Sequence, residues 1–273
     1  MSVQAQVRVE NDELIEWEFV SDYAEFALQM NFLAITTMLE KARDVTDPAK
    51  RKSICLSGLQ YLYRSYEDFA ILLHAFRERI GGRHLHLTIG VEDQNRRGGT
   101  VVPKILKHYE SARQVLDNFG FTSVTYGRLS PYLDVTEEGF EDHYRDIADS
   151  IKGLSEYAGS INDYKNKLKH GKPVLEGEID KKMLDHVLFL RWDGKGEAPV
   201  LELHWLTVTL EQLEKATIQV AKIYTRSLEF LWQFMLHYYP DRADKYLRET
   251  MIKCSGEVGE QMRALGLNSQ GLT

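Results

Sequence analysis

Between residues 55 and 80 the chain sets apolar side chains at alternating steps of four and three: Cys55, Leu59, Leu62, Tyr66, Phe69, Leu73, Phe76 and Ile80. An α-helix turns once every 3.6 residues, so this spacing draws one continuous apolar row along a single helix, whereas a strand would scatter it over two faces. Such a row has to be buried, and its spacing suits neighbours that lie nearly parallel or antiparallel. The local punctuation agrees. Asp47 offers a capping oxygen, Pro48 fits the first helical position, and Gly81-Gly82 ends the run.

The same reading places further helices around this one. Ser21-Asp22 opens a helix that runs to about Arg43. Pro103 starts another, with Ile105, Leu106, Tyr109, Ala112 and Leu116 inward, ending near Gly120. Thr136 opens a long one whose row is Phe140, Tyr144, Ile147, Ile151, Leu154, Ala158, Ile161, Lys165 and Leu168, weakened by Gly139, Gly153 and Gly159. Thr209 and Gln212 form a capping box ahead of a helix to Tyr239. That helix is apolar on two sides (Leu213, Ala216, Val220, Ile223, Phe230 and Phe234; Ala221, Tyr224, Leu228, Leu231 and Met235), so a central place in the core is expected. A last helix holds Tyr246, Leu247 and Met251, and residues 257–273 are expected to be a loosely held tail.

One β element interrupts the helical pattern. The runs HVLFLRW and PVLELHWLTV flank Asp193-Gly194-Lys195-Gly196-Glu197, which reads as a β-hairpin over 186–208. The expected fold is therefore all-α in class: a single helical-bundle domain over 1–273 with one inserted β-hairpin.

Composition narrows the function classes. Lys and Arg number 34 against 41 Asp and Glu, a net charge of -7, which argues against a surface that grips nucleic acid everywhere but leaves room for a local basic groove. Cys55 and Cys254 are too few and too far apart for a disulfide framework or a zinc site. His84-x-His86 stands without a Glu-x-x-His partner, and Gly98-Gly99 is followed by no Gly-Lys-Ser/Thr, so no metal and no cofactor is expected. The start of the chain lacks a basic stretch followed by an apolar one, and the most apolar helix still carries Lys215, Lys222, Arg226 and Glu229. A cytoplasmic protein without membrane contact is the expectation.

The stretch Tyr164-Lys165-Asn166-Lys167-Leu168-Lys169-His170-Gly171 carries the most chemistry. Lys165 falls on the apolar row between Ile161 and Leu168, and an inward cation needs a partner or a purpose. Asn162, Asn166 and His170 follow at four-residue spacing on an adjacent face, so a cation, an amide and an imidazole converge at one helix end. Helices often finish with basic residues, then Gly, then Pro, and Lys167, Lys169, His170, Gly171 and Pro173 fit that habit. The habit does not account for Lys165.

Lys165-Asn166, three residues and His170 resemble the signature of HEPN domains (higher eukaryotes and prokaryotes nucleotide-binding), in which an Arg, often followed by Asn, and a His are separated by four to six intervening residues. Here Lys165 stands in the place of the Arg. The resemblance implies a helical bundle, a homodimer with two motifs at a shared cleft, and metal-independent endoribonuclease activity of the kind found in toxins and antiviral defence. It implies His170, Lys165 and Asn166 as catalytic residues, with Glu67, Asp68, Asn162 and Tyr164 in support. Lys167, Lys169, Lys172, Arg96 and Arg97 would face RNA. The alternative is a catalytically silent helical scaffold that dimerises or docks a protein partner from the same system.

Overall fold

The computed structural model describes residues 27–80, 82, 114, 136, 145, 149, 152, 186–193, 200–238 and 246–267. Among them the chain is mainly α: helices α1 (Gln29–Asp44), α2 (Pro48–Ile80), α3 (Leu210–Tyr238) and α4 (Tyr246–Ala264) stand with strands β1 (His186–Asp193) and β2 (Val200–Thr207). The start expected at Ser21-Asp22 lies outside the described residues. So do the helices expected over 103–120 and 136–170, apart from Gln114, Arg145, Asp149 and Lys152, which are helical, and Thr136, which is not.

The beginning of α2 is fixed by its own sequence. Asp47 Oδ1 accepts hydrogen bonds from the backbone N–H of Ala49 at 2.9 Å and of Lys50 at 3.3 Å, satisfying donors that have no partner within the helix. Arg51 reaches back to the Val45 carbonyl through Nε at 3.0 Å and Nη2 at 2.6 Å, which locks the short connection from α1. Gly82 adopts φ +89° just past the helix, a conformation glycine enters without a Cβ penalty.

The four-three row of α2 is buried from Cys55 to Phe76. A parallel row, Ser65, Asp68, Leu72 and Ala75, is buried beside it, so the second half of α2 is enclosed over a wide arc. Full burial of a Phe or Leu side chain contributes roughly 1.5–3 kcal/mol before entropy is counted, so these rows are a large share of what holds the bundle. α2 packs against α1 and α3, and α3 also touches α1 and α4. Three of these helices converge at Gly58: a Cβ there would strike Leu213 Cδ1 of α3 and lie 3.3 Å from Met38 Cβ of α1.

α3 begins where the Thr209 hydroxyl oxygen accepts the Gln212 N–H at 3.2 Å. Leu213, Ala216, Val220 and Ile223 are buried on one side, and Ala221, Tyr224, Leu228 and Leu231 on the other. The Tyr224 ring stacks on Phe32 of α1 with centroids 6.1 Å apart. Thr217, Thr225 and Ser227 sit inside this apolar environment because each hydroxyl donates to a carbonyl one turn back, at 2.8, 3.0 and 2.6 Å.

α4 corrects the expectation of a loose tail from residue 257. The helix continues through Gly256 and Gly259 to Ala264 and buries Cys254, Val258, Met262 and Leu265. The cost of two helical glycines, about 1 kcal/mol each, is offset by that burial. Its end is a Schellman turn. Gly266 takes φ +64°, its N–H reaches the Arg263 carbonyl at 2.9 Å, and the Leu267 N–H reaches that of Met262 at 3.0 Å. Arg43 of α1 clamps this end, donating from Nη1 to the Leu265 carbonyl and from Nη2 to Glu214 of α3, each at 2.7 Å. Gln261 Nε2 donates to the Thr36 hydroxyl at 3.0 Å. β1 and β2 run antiparallel with Leu190 opposite Leu203 and Trp192 opposite Leu201.

Candidate functional site

The site named by the sequence has two parts, and the described residues contain one of them. Lys165, Asn166, His170, Asn162, Tyr164, Lys167, Lys169, Lys172, Arg96 and Arg97 lie outside the described residues. Glu67 and Asp68 lie within α2.

Asp68 is 4% exposed and Glu67 is half-buried. The difference follows from helix phase. Asp68 falls on the second buried row, one turn after Ser65 and one before Leu72, while Glu67 falls between the rows and the solvent edge. A carboxylate removed from water has to be hydrogen-bonded or paired. Asn31 of α1 donates from Nδ2 to Asp68 Oδ2 at 2.6 Å, and neither Glu67 nor Asp68 is confined to contacts with water. The bond joins the two helices through a polar link inside an otherwise apolar layer, with Phe32, Ile35, Phe69 and Leu72 around it in sequence and all buried.

Asn31 was not among the residues singled out by sequence, although the signal was there. It lies three residues after Leu28 and four before Ile35, both buried, so it occupies an apolar row just as Lys165 does. A polar residue in such a row marks a place where the fold has to supply a partner.

Other chemistry among the described residues is sparse. Burial pushes the Cys55 thiol up from its ordinary value, offset in part by the Arg51 guanidinium, so its thiolate is disfavoured and the group is a poor nucleophile. Cys254 is a buried thiol. No three His, Cys, Asp or Glu side chains converge as metal ligands among the described residues. Nor is any described helix long and apolar enough to cross a membrane. At the end of α2 Arg77 is exposed and Arg79 half-buried, while Arg83, His84 and His86 lie outside the described residues. No protein-family model matches the chain, and comparison with curated proteins and with solved structures finds no significant match either.

Proposed function

We propose that this chain is a HEPN-like RNA-binding protein and metal-independent endoribonuclease of a bacterial defence or stress system, acting as a homodimer. The observation that carries the reading is the Lys165-Asn166-x-x-x-His170 pattern with its cation on an apolar row. A mainly α-helical core with a buried carboxylate at Asp68 is a setting compatible with it. The paired strands β1 and β2 enter this reading as a hairpin inserted ahead of α3, supported by the Gly194 and Gly196 between them.

RNA would supply its own nucleophile. His170, with an ordinary pKa near ~6.5, takes the proton of a 2′-OH as that oxygen bonds to the adjacent phosphorus. The bond from phosphorus to the 5′ oxygen breaks, and that oxygen gains a proton, leaving a 2′,3′-cyclic phosphate and a 5′-OH. Lys165 stabilises the charge that builds on the phosphate oxygens, and Asn166 orients the imidazole or the backbone.

The test is a labelled single-stranded RNA incubated with wild type, His170→Ala and Lys165→Ala, with and without EDTA. Cleavage is expected from wild type in both conditions and from neither variant, and a DNA of the same sequence should stay intact because it lacks the hydroxyl. His170→Ala should change stability by no more than about 0.3–1 kcal/mol, the scale of a helix-end charge. Equal cleavage by His170→Ala would remove the motif from the site. Lysine in place of arginine keeps the charge but loses the bidentate fork, and that substitution favours a second reading, the silent scaffold. Wild type that neither binds nor cuts RNA would establish it.

A further inference from the structure

Among the described residues the outer face of α4 is unpartnered, and it carries its own complement. Ile252 is 65% exposed. One turn on is Gly256 and then Gly259, where an added Cβ would meet nothing within 4 Å, so open space stands over both. Glu249 lies in the first turn of the helix and Arg263 in the last. Both are exposed, and neither has an ion-pair partner among the described residues.

The spacing is symmetric. Glu249 and Arg263 each stand seven residues from Gly256, and seven residues are two helical turns to within about 20°, so all three share one face. Each charge therefore lies about 10.5 Å along the axis from Gly256, in opposite directions. We infer that this face is where a second copy of the chain docks, α4 against α4, antiparallel, about a twofold axis at Gly256.

In that arrangement Gly256 meets the partner's Gly256, and two missing side chains let the backbones approach. Glu249 then faces the partner's Arg263, and the twofold repeats the pair at the other end. Ile252 falls over the partner's Gly259 and Glu260, covering its exposed apolar surface. A parallel pairing in register would instead set Glu249 against its own copy and Arg263 against its own copy. The charges thus select both the occupant and its direction. A lone helix pair buries less than the roughly 1,200 Å² of a stable interface, so the dimer is weak and concentration-dependent. The inference supplies an interface for the homodimer of the proposed function but is argued from α4 alone; RNA cleavage by the His170→Ala variant tests the chemistry of that reading separately.

Sedimentation of the full chain tests it. Wild type should pass from monomer to dimer as concentration rises. Glu249→Arg and Arg263→Glu should each raise the dissociation constant at least about tenfold by opposing like charges. The two variants mixed in equal amounts should associate as tightly as wild type, because each supplies the charge the other lacks, and the double variant should also be restored. Gly256→Cys should cross-link to itself under mild oxidation, since helices in contact at glycine bring the two Cα atoms within disulfide reach. A wild-type chain monomeric to roughly 1 mM would overturn the inference. So would single variants that lower thermal stability, with a double variant lower still and no effect of mixing. In that outcome the two charges serve only the dipole of their own helix.

Discussion

Glycine-to-alanine substitutions at three helical positions should split in sign. Within a helix interior, alanine is favoured over glycine by about 0.8–1.0 kcal/mol because it restricts the unfolded chain. At Gly256 and Gly259 a new Cβ meets nothing within 4 Å, so that gain should appear nearly undiluted, raising stability by about 0.5–1 kcal/mol at each. At Gly58 the same methyl strikes Leu213 Cδ1 and crowds Met38 Cβ at 3.3 Å. Leu213 is wholly buried and stands in the first turn of α3, so its side chain has no solvent side to move toward. Overpacking of this kind costs roughly 1–3 kcal/mol, which exceeds the propensity gain. Gly58→Ala should therefore lose about 1 kcal/mol net. Urea unfolding followed by far-ultraviolet circular dichroism, at protein concentrations below the range of self-association, reads all three. A second arm isolates the cause: Leu213→Ala alone should cost about 2–5 kcal/mol, and adding Gly58→Ala should return part of it by refilling the space. A Gly58→Ala chain stabilised as much as the Gly259→Ala chain would refute the claim that α2 and α3 meet there without room for a methyl.

Two other perturbations read the polar links. Asn31→Leu removes the donor to Asp68 and leaves the buried carboxylate short of a bond, for an expected loss of about 1–3 kcal/mol, visible as a lower urea midpoint; Asn31→Leu combined with Asp68→Leu should recover part of that loss, and equal midpoints for wild type and Asn31→Leu would show the bond to be idle. Arg43→Ala uncaps the end of α4, and amide hydrogen exchange at 262–267 should quicken while exchange in α2 stays unchanged; because the Arg43 and Glu214 side chains are 33% and 31% exposed, screening keeps the stability cost to about 1 kcal/mol.

What could be read in the sequence was what is encoded locally. The row from Cys55 to Phe76, the cap at Asp47-Pro48 and the Thr209 cap each depend on residues within one or two turns, and the helices begin and bury where those signals stand. The loose tail expected from residue 257 begins just after Gly256, and glycine in a helix and glycine after a helix look alike until the next turn is weighed. Val258, Met262 and Leu265 continue the buried row, and Gly266 is the residue that takes the left-handed turn. The Asn31–Asp68 bond joins separate helices, so each residue announced only that it needed a partner, not which one. The Lys165 to His170 pattern lies outside the described residues, and its chemistry rests on spacing.

The central place of α3 also sets an order in time. α1 and α2 end at Ile80, and the helix that covers both begins at Leu210, 130 residues later by subtraction. At roughly 5–20 residues per second, a ribosome needs about 6–26 s to bridge that gap. During those seconds the sides of Phe32 and Gly58 that meet Tyr224 and Leu213 have no α3 to cover them. Until then α1 and α2 are open to chaperones, proteases and neighbouring chains on the faces that α3 covers, and a transcript cut short before codon 210 leaves both helices without it.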